Sequence, residues 1–154
     1  MVCVVMTQEY IDRLVLAYPS IKKIWLFGSR VNGNGPIKPD SDWDYLAFGD
    51  DARVLNDLHN DPEFNATGID LMFVGPGIDE AIKPWPEPDK YWKKLGLGAA
   101  PGGINWQVIS DTEAQYIVHR DRTPGSFETV PRYLKAELIY PKSLRLSLGA
   151  RRNP

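Results

Sequence analysis

Apolar positions in the first part of the chain repeat with a helical period and then form a short continuous run. Spacing at i, i+3, i+4 and i+7 predicts one apolar helix face made of Ile11, Leu14, Val15 and Tyr18. Thr7 suits the N-cap of this helix, and Pro19 predicts its end, because a residue before proline avoids helical backbone angles. The apolar run 24–27 predicts a buried strand that ends at Gly28 and Ser29.

Two more strands and a short helix follow in the pattern. Residues 43–48 are mostly apolar and aromatic and predict a second strand. Asp50 or Asp51 can cap a helix whose apolar positions are Val54, Leu55 and Leu58. Residues 69–74 predict a third strand, which is apolar except for Asp70.

The second half of the chain has a weaker pattern. Its proline and glycine content makes 83–103 a long irregular connection. Residues 105–109 suit a fourth strand, and 110–117 suit a short helix, although 116–118 would also suit a strand. A proline in the first turn favours a last helix over 131–139.

The composition is that of one globular domain. The 154 residues match about 150 per domain, and 43% apolar with 25% charged residues is close to the globular average. A formal net charge of −2 excludes a protein that is basic overall, as general nucleic-acid binders are. The single cysteine, Cys3, excludes an internal disulfide framework and favours a reducing cytoplasm. No apolar run reaches the roughly 20 residues that span a bilayer, so no membrane partner is predicted.

Three aspartates carry the candidate chemistry. Asp42 and Asp44 are two residues apart at the second strand, so a strand's period of two places both carboxylates on one face. Two like charges on one face repel each other, and a divalent cation with oxygen ligands, Mg²⁺ or Mn²⁺, relieves that repulsion. Asp70 is costly in an apolar strand unless it is paired or bound to metal. The Asp70 carboxylate would lie close to those of Asp42 and Asp44 if the second and third strands are neighbours.

Gly28 and Ser29 are candidates for binding phosphate at the end of the first strand. Glycine lets the backbone approach a ligand closely, and the serine hydroxyl and nearby amides can donate to phosphate oxygens. A phosphate cradle beside an acidic metal site supplies what phosphoryl or nucleotidyl transfer requires.

The combined motifs resemble the minimal nucleotidyltransferase branch of the DNA polymerase beta superfamily. The sequence has Gly-Ser after its first strand, Asp-x-Asp at the second and a third Asp on the next, in that order. The similarity covers residues 7–75, which we treat as a nucleotidyltransferase-like core within a single domain, 1–154. Residues 76–154 form an extension without a recognised counterpart.

The resemblance implies a mixed sheet flanked by helices, an NTP donor and dependence on Mg²⁺ or Mn²⁺. It implies that Gly28 and Ser29 contact the triphosphate, and that Asp42 and Asp44 hold the metals. Asp70 would bind one metal and help to deprotonate the attacking hydroxyl. Together with the order of elements, it predicts an α/β or α+β domain with a small, mainly antiparallel sheet.

One departure from the family pattern lies between the two motifs. Ser29 and Asp42 are separated by more residues than is common in the family, and we interpret the stretch 33–36 as a two-residue loop insertion. Arg30, in the same connection, is either a phosphate ligand or a solvated surface residue.

Each motif also has a purely structural interpretation. Asp42 and Asp44 would suit an exposed strand edge before a turn, and Ser29 would suit a helix cap. Asp70 would suit an ion pair with a lysine such as Lys22 or Lys23. The presence of all the motifs in order favours a site.

The leading hypothesis is a transferase that moves an NMP from an NTP to an acceptor hydroxyl and releases pyrophosphate. The acceptor is open: a protein, an RNA end or a small molecule. A second hypothesis is a nucleotide-binding antitoxin or regulatory protein without turnover, acting on a toxin-type protein partner. A third is a nucleic-acid accessory protein that binds through its basic C-terminal residues, which are Arg132, Lys135, Lys142, Arg145, Arg151 and Arg152.

Overall fold

The computed structural model describes residues 4–37, 39–77, 81–85, 106–122 and 129–142. Within this part of the chain there are two α-helices and six strands. They are α1 (Val4–Ala17), β1 (Ile21–Phe27), β2 (Trp43–Gly49), α2 (Arg53–His59), β3 (Ile69–Val74), β4 (Trp106–Val108), β5 (Glu113–Arg122) and β6 (Thr129–Tyr140).

The six strands form one mixed sheet in the order β3-β2-β1-β6-β5-β4. Only β2 and β3 run parallel among the described strands, and every other neighbouring pair is antiparallel. The prediction of an α+β domain with a mixed, mainly antiparallel sheet is therefore confirmed. The predicted strands at 24–27, 43–48 and 69–74 correspond to β1, β2 and β3.

Both helices contribute to the core on one face of the sheet, which we call the helix face. The apolar side of α1 is buried there against β1 and β2 through Tyr10, Ile11 and Leu14, as the helical spacing predicts. Val54 and Leu58 of α2 join the same cluster. The opposite face of the sheet has its own buried cluster, which includes Trp25, Phe27, Leu46, Met72, Trp106 and Tyr116.

The predicted start of the first helix is wrong. The helix begins at Val4, so Thr7 lies within it and does not cap it. The Thr7 side chain is buried and hydrogen-bonds with the hydroxyl of Tyr45 on β2. The Thr7 hydroxyl therefore connects α1 to β2 and does not cap the helix backbone.

The predicted helix over 131–139 is also wrong, because these residues belong to β6. The prediction relied on the proline at 131 as a first-turn residue, and the Lys, Ala, Glu and Leu residues that follow it are also good helix formers. Yet Leu134, Ala136 and Leu138 alternate with charged residues and contribute to the buried cluster opposite the helices. Pairing with β5 on one side and β1 on the other overrides the helix propensity.

The rest of the second half agrees with the strand interpretations where the structure describes it. The fourth predicted strand corresponds to β4, and the strand alternative for 116–118 is correct, since these residues lie in β5. The predicted long connection over 83–103 falls outside the described residues after position 85. Neither helix of the described chain is long and apolar enough to cross a membrane.

Two tyrosine hydroxyls, of the buried Tyr10 in α1 and the half-buried Tyr18 just after it, connect this helix to the segment after α2. Tyr10 donates to the Phe64 carbonyl over 2.6 Å, and Tyr18 donates to an Asp61 carboxylate oxygen over 2.7 Å. Burial raises the pKa of both tyrosines well above the usual value, because it disfavours the phenolate. The folded state therefore favours the protonated form of each hydroxyl.

We expect the protein to lose stability in alkali. The unfolded chain ionises these tyrosines near their usual pKa of about 10, so their contribution is complete below about pH 10 and is lost as pH rises beyond it. Tyr10→Phe should lower the free energy of unfolding by about 1 kcal/mol at neutral pH and reduce the alkaline loss. Urea unfolding of both proteins at about pH 8 and about pH 11 measures this. Equal alkaline losses would contradict the assignment to Tyr10.

Candidate functional site

The chain turns sharply where β1 ends. Gly28, Ser29 and Arg30 form a single 3₁₀ turn, and Gly28 has a φ of +76°, a conformation that side-chain-bearing residues rarely adopt. Phe27, the last residue of β1, pairs with Asp44 on β2. The Asp44 carboxylate lies so close to Gly28 that a Cβ atom there would overlap with Oδ2 and stand 3.1 Å from Cγ. The glycine is therefore required both by its backbone angle and by the carboxylate beside it.

Asp44 and Asp70 are direct partners in the register of β2 and β3. Because these strands are neighbours and the residues are paired, both carboxylates project from the same face, and their Cα atoms are about 5 Å apart. That face is opposite the helices, since the next residue along β2, Tyr45, is buried in the helix-face core. The second and third strands are therefore neighbours, which is the condition on which the approach of Asp70 to Asp44 depended.

Asp42 lies one residue before the start of β2 and is exposed. The intervening Trp43 donates its amide to the Gly68 carbonyl over 2.8 Å, which fixes the entry of the strand. The structure thus brings Asp44 and Asp70 together within the sheet and places Asp42 at its edge. Among the described residues, no three Asp, Glu, His or Cys side chains are grouped closely enough to hold a metal ion.

Asp70 forms an ion pair with a lysine, as its structural interpretation suggests, but the partner is Lys83. Lys83 Nζ lies 2.6 Å from Asp70 Oδ1, with 35% of the lysine side chain and 27% of the aspartate side chain exposed. The sequence analysis had considered Lys22 or Lys23 as structural partners. Lys22 instead pairs loosely with Asp50, at 3.9 Å on the surface. The cost of a charge in an apolar strand is therefore offset at Asp70 by a lysine from the segment that follows β3.

The turn at Gly28 is held by side chains that the sequence analysis did not select. Tyr116 on β5 accepts the Gly28 amide over 2.8 Å through its hydroxyl, and its ring packs edge-on against Phe27. Asn34 donates its side-chain amide to the Gly28 carbonyl, also over 2.8 Å. The backbone of Gly28 is thus bonded on both sides, which fixes the turn before any ligand binds.

Asn34 also attaches its loop to β6. Its side chain donates to the Lys135 carbonyl over 2.8 Å and accepts the Lys135 amide over 2.7 Å, so it pairs with β6 as a strand residue would. Its side chain is buried. The stretch 33–36, interpreted from the sequence as an inserted loop, therefore includes a residue that supports the Gly28 turn.

Arg30 is held within the same connection. Its guanidinium stacks over the Trp43 ring, 4.8 Å from the centroid, and donates to the carbonyls of Ser41 and Pro39. These contacts favour a structural role, in which Arg30 ties the loop to the start of β2. Ser29, in the turn itself, is half-buried.

We expect Asn34→Ala to destabilise the protein by about 2–3 kcal/mol, because it leaves polar groups of Gly28 and Lys135 unpaired in a partly buried setting. Asn32→Ala is the matched control, since Asn32 is exposed in the same loop and should cost within about 0.5 kcal/mol. Urea unfolding of both variants gives the comparison. Equal losses would show that the side-chain contacts of Asn34 do not support the turn.

Comparison with known proteins gives no match to a family model, to a curated protein or to a solved structure.

Proposed function

We propose that the protein is a metal-dependent nucleotidyltransferase that moves an NMP from an NTP to an acceptor hydroxyl and releases pyrophosphate. One observation carries the proposal. Three neighbouring strands bring the Gly28 turn, Asp44 and Asp70 to one end of the sheet, with Asp44 against the glycine and in register with Asp70. A phosphate cradle beside in-register carboxylates is the arrangement that in-line displacement at a phosphoryl group uses.

The described residues offer no group of three side chains that could hold a metal ion, but Mg²⁺ is commonly bound by one or two carboxylates together with substrate phosphates and water. Asp42 and Asp44 would hold Mg²⁺ or Mn²⁺ through carboxylate oxygens, the ligands these ions prefer. When bound, the cation would neutralise charge on the phosphate oxygens. The Ser29 hydroxyl and the amides of the turn other than that of Gly28, which already donates to Tyr116, would orient the triphosphate. Asp70, next to Asp44, would orient the attacking hydroxyl.

The test is the release of pyrophosphate. The purified protein is incubated with Mg²⁺, each NTP in turn and a cell lysate that supplies acceptors, and pyrophosphate is measured against samples treated with a chelator. We expect chelator-sensitive release with one or more NTPs. No release with any NTP, when calorimetry shows that the protein binds neither nucleotide nor metal, would contradict the proposal.

A second candidate is a nucleotide-binding regulatory or antitoxin-type protein without turnover. The ion pair between Lys83 and Asp70 favours it, because the carboxylate that would assist the acceptor is already engaged. This function predicts that calorimetry detects binding of an NTP with Mg²⁺ while no pyrophosphate forms. Co-purification with a toxin-type protein would then identify the partner.

A further inference from the structure

Lys83 places a positive charge where the site would otherwise need a second cation. Its ammonium lies 2.6 Å from Asp70 Oδ1. Asp70 is in register with Asp44 on the adjacent strand, so the ammonium neutralises one member of a pair of like charges. In a two-cation site both ions bind these carboxylates. A dication at Asp70 would have to displace or repel the ammonium.

Lys83 is held in position from both sides along the chain. Its predecessor, Ile82, pairs with Phe73 of β3 through two backbone hydrogen bonds of 2.9 and 3.0 Å. Its successor, Pro84, is buried, and its carbonyl accepts a hydrogen bond of 2.8 Å from Nδ1 of His59 on α2. The backbone that carries Lys83 is therefore fixed against the outer edge of β3. These contacts hold the Lys83 side chain close to Asp70.

The ion pairs of the protein differ in a way that supports this role. The surface pair of Lys22 and Asp50 spans 3.9 Å, with 61% and 64% of the side chains exposed. The pair of Lys83 and Asp70 is 2.6 Å long and considerably less exposed. A short, partly desolvated pair resists exchange with solvent ions more than a loose surface pair does.

We propose that the site binds one divalent cation, on Asp42 and Asp44, and that the Lys83 ammonium takes the place of a second cation at Asp70. This inference rests on the proposed function, because it assumes that the carboxylates form a metal site. It assigns Lys83 a role in setting the number of metal ions, which the sequence motifs alone did not indicate.

The test counts metal ions and does not depend on turnover. Equilibrium dialysis measures bound Mn²⁺ per chain in the presence of inorganic triphosphate, the portion that all NTPs share. We expect about one Mn²⁺ per wild-type chain and about two per Lys83→Met chain. The Lys83→Arg chain keeps the positive charge and should bind about one Mn²⁺. The Lys22→Met chain loses a lysine from an exposed ion pair and should also bind about one Mn²⁺. Circular dichroism checks folding, and Lys83→Gln replaces Lys83→Met if that variant is unfolded.

The outcomes separate this inference from the proposed function. The role of Lys83 would be overturned if the wild-type chain bound two Mn²⁺. It would also be overturned if the wild-type chain and the folded Lys83 variants all bound one. Either result would leave the metal site in place. A wild-type chain that binds neither Mn²⁺ nor triphosphate would overturn the proposed function, and the inference with it.

Discussion

The double variant Asp42→Asn/Asp44→Asn is expected to lower Mg²⁺-dependent turnover of NTP by at least about 100-fold. Loss of one preorganised charge-stabilising group typically costs about 10²–10³-fold, and this variant removes two carboxylates at once. Asparagine keeps the size of each side chain, so the sheet should remain folded. The measurement is the initial rate of pyrophosphate release at saturating Mg²⁺.

A nearby carboxylate provides the control for that double variant. Asp40 is exposed in the same connection, and Asp40→Asn removes the same charge two residues before Asp42. It should change the rate by less than about twofold, because exposed charges interact weakly through water. Full activity in the double variant would show that these carboxylates do not hold the catalytic cation.

Gly28→Ala is expected to have the largest effect of any single substitution in the turn. The backbone angle of Gly28 is unfavourable for alanine by about 1 kcal/mol, and the new methyl group would overlap with the Asp44 carboxylate. The overlap should add about 1–3 kcal/mol of destabilisation or force Asp44 out of position. Pyrophosphate release should fall with it, because Asp44 would no longer face the turn.

Gly77 allows the cost of the backbone angle to be separated from the cost of the overlap with Asp44. Its φ is +77°, almost identical to that of Gly28, but apart from its chain neighbours no atom of the described residues lies within 4 Å of where its Cβ would be. Gly77→Ala should therefore cost only the backbone contribution of about 1 kcal/mol and leave activity intact. Urea unfolding of both variants gives the difference. Equal losses of stability and activity would contradict the close approach of Asp44 to Gly28.

The sequence predicts the first half of the fold well because its signals are local. The spacing of apolar residues in α1 and the apolar runs of β1 and β3 depend on neighbours a few residues away. The same reasoning selects Gly28, Asp44 and Asp70, because each lies at the end or start of a strand. The approach of Gly28 to Asp44 follows from the pairing of β1 with β2, and that of Asp44 to Asp70 from the pairing of β2 with β3. The third predicted member, Asp42, lies before β2 and is exposed, and the described residues include no group of three such side chains that could hold a metal ion.

The contacts that support the site were not predictable in the same way. Tyr116 reaches Gly28 from β5, and no periodic pattern indicates which strands will be neighbours. Asn34 and Lys83 are nearer in sequence to Gly28 and Asp70, but they lie in irregular segments, which carry no periodic signal. The error over 131–139 has a related cause. Helix propensity is a local property, whereas the conformation of β6 is decided by its pairing with β5 and β1.

Transfer of label from an NTP tests the central claim most directly. Each NTP labelled at the α-phosphate is incubated with Mg²⁺, cell lysate and either the wild-type protein or Asp42→Asn/Asp44→Asn. The account predicts that one or more NTPs transfer label to an acceptor with the wild-type protein and that transfer is lost in the double variant. Equal labelling by both proteins, or no labelling beyond that of lysate alone with any NTP, would contradict it.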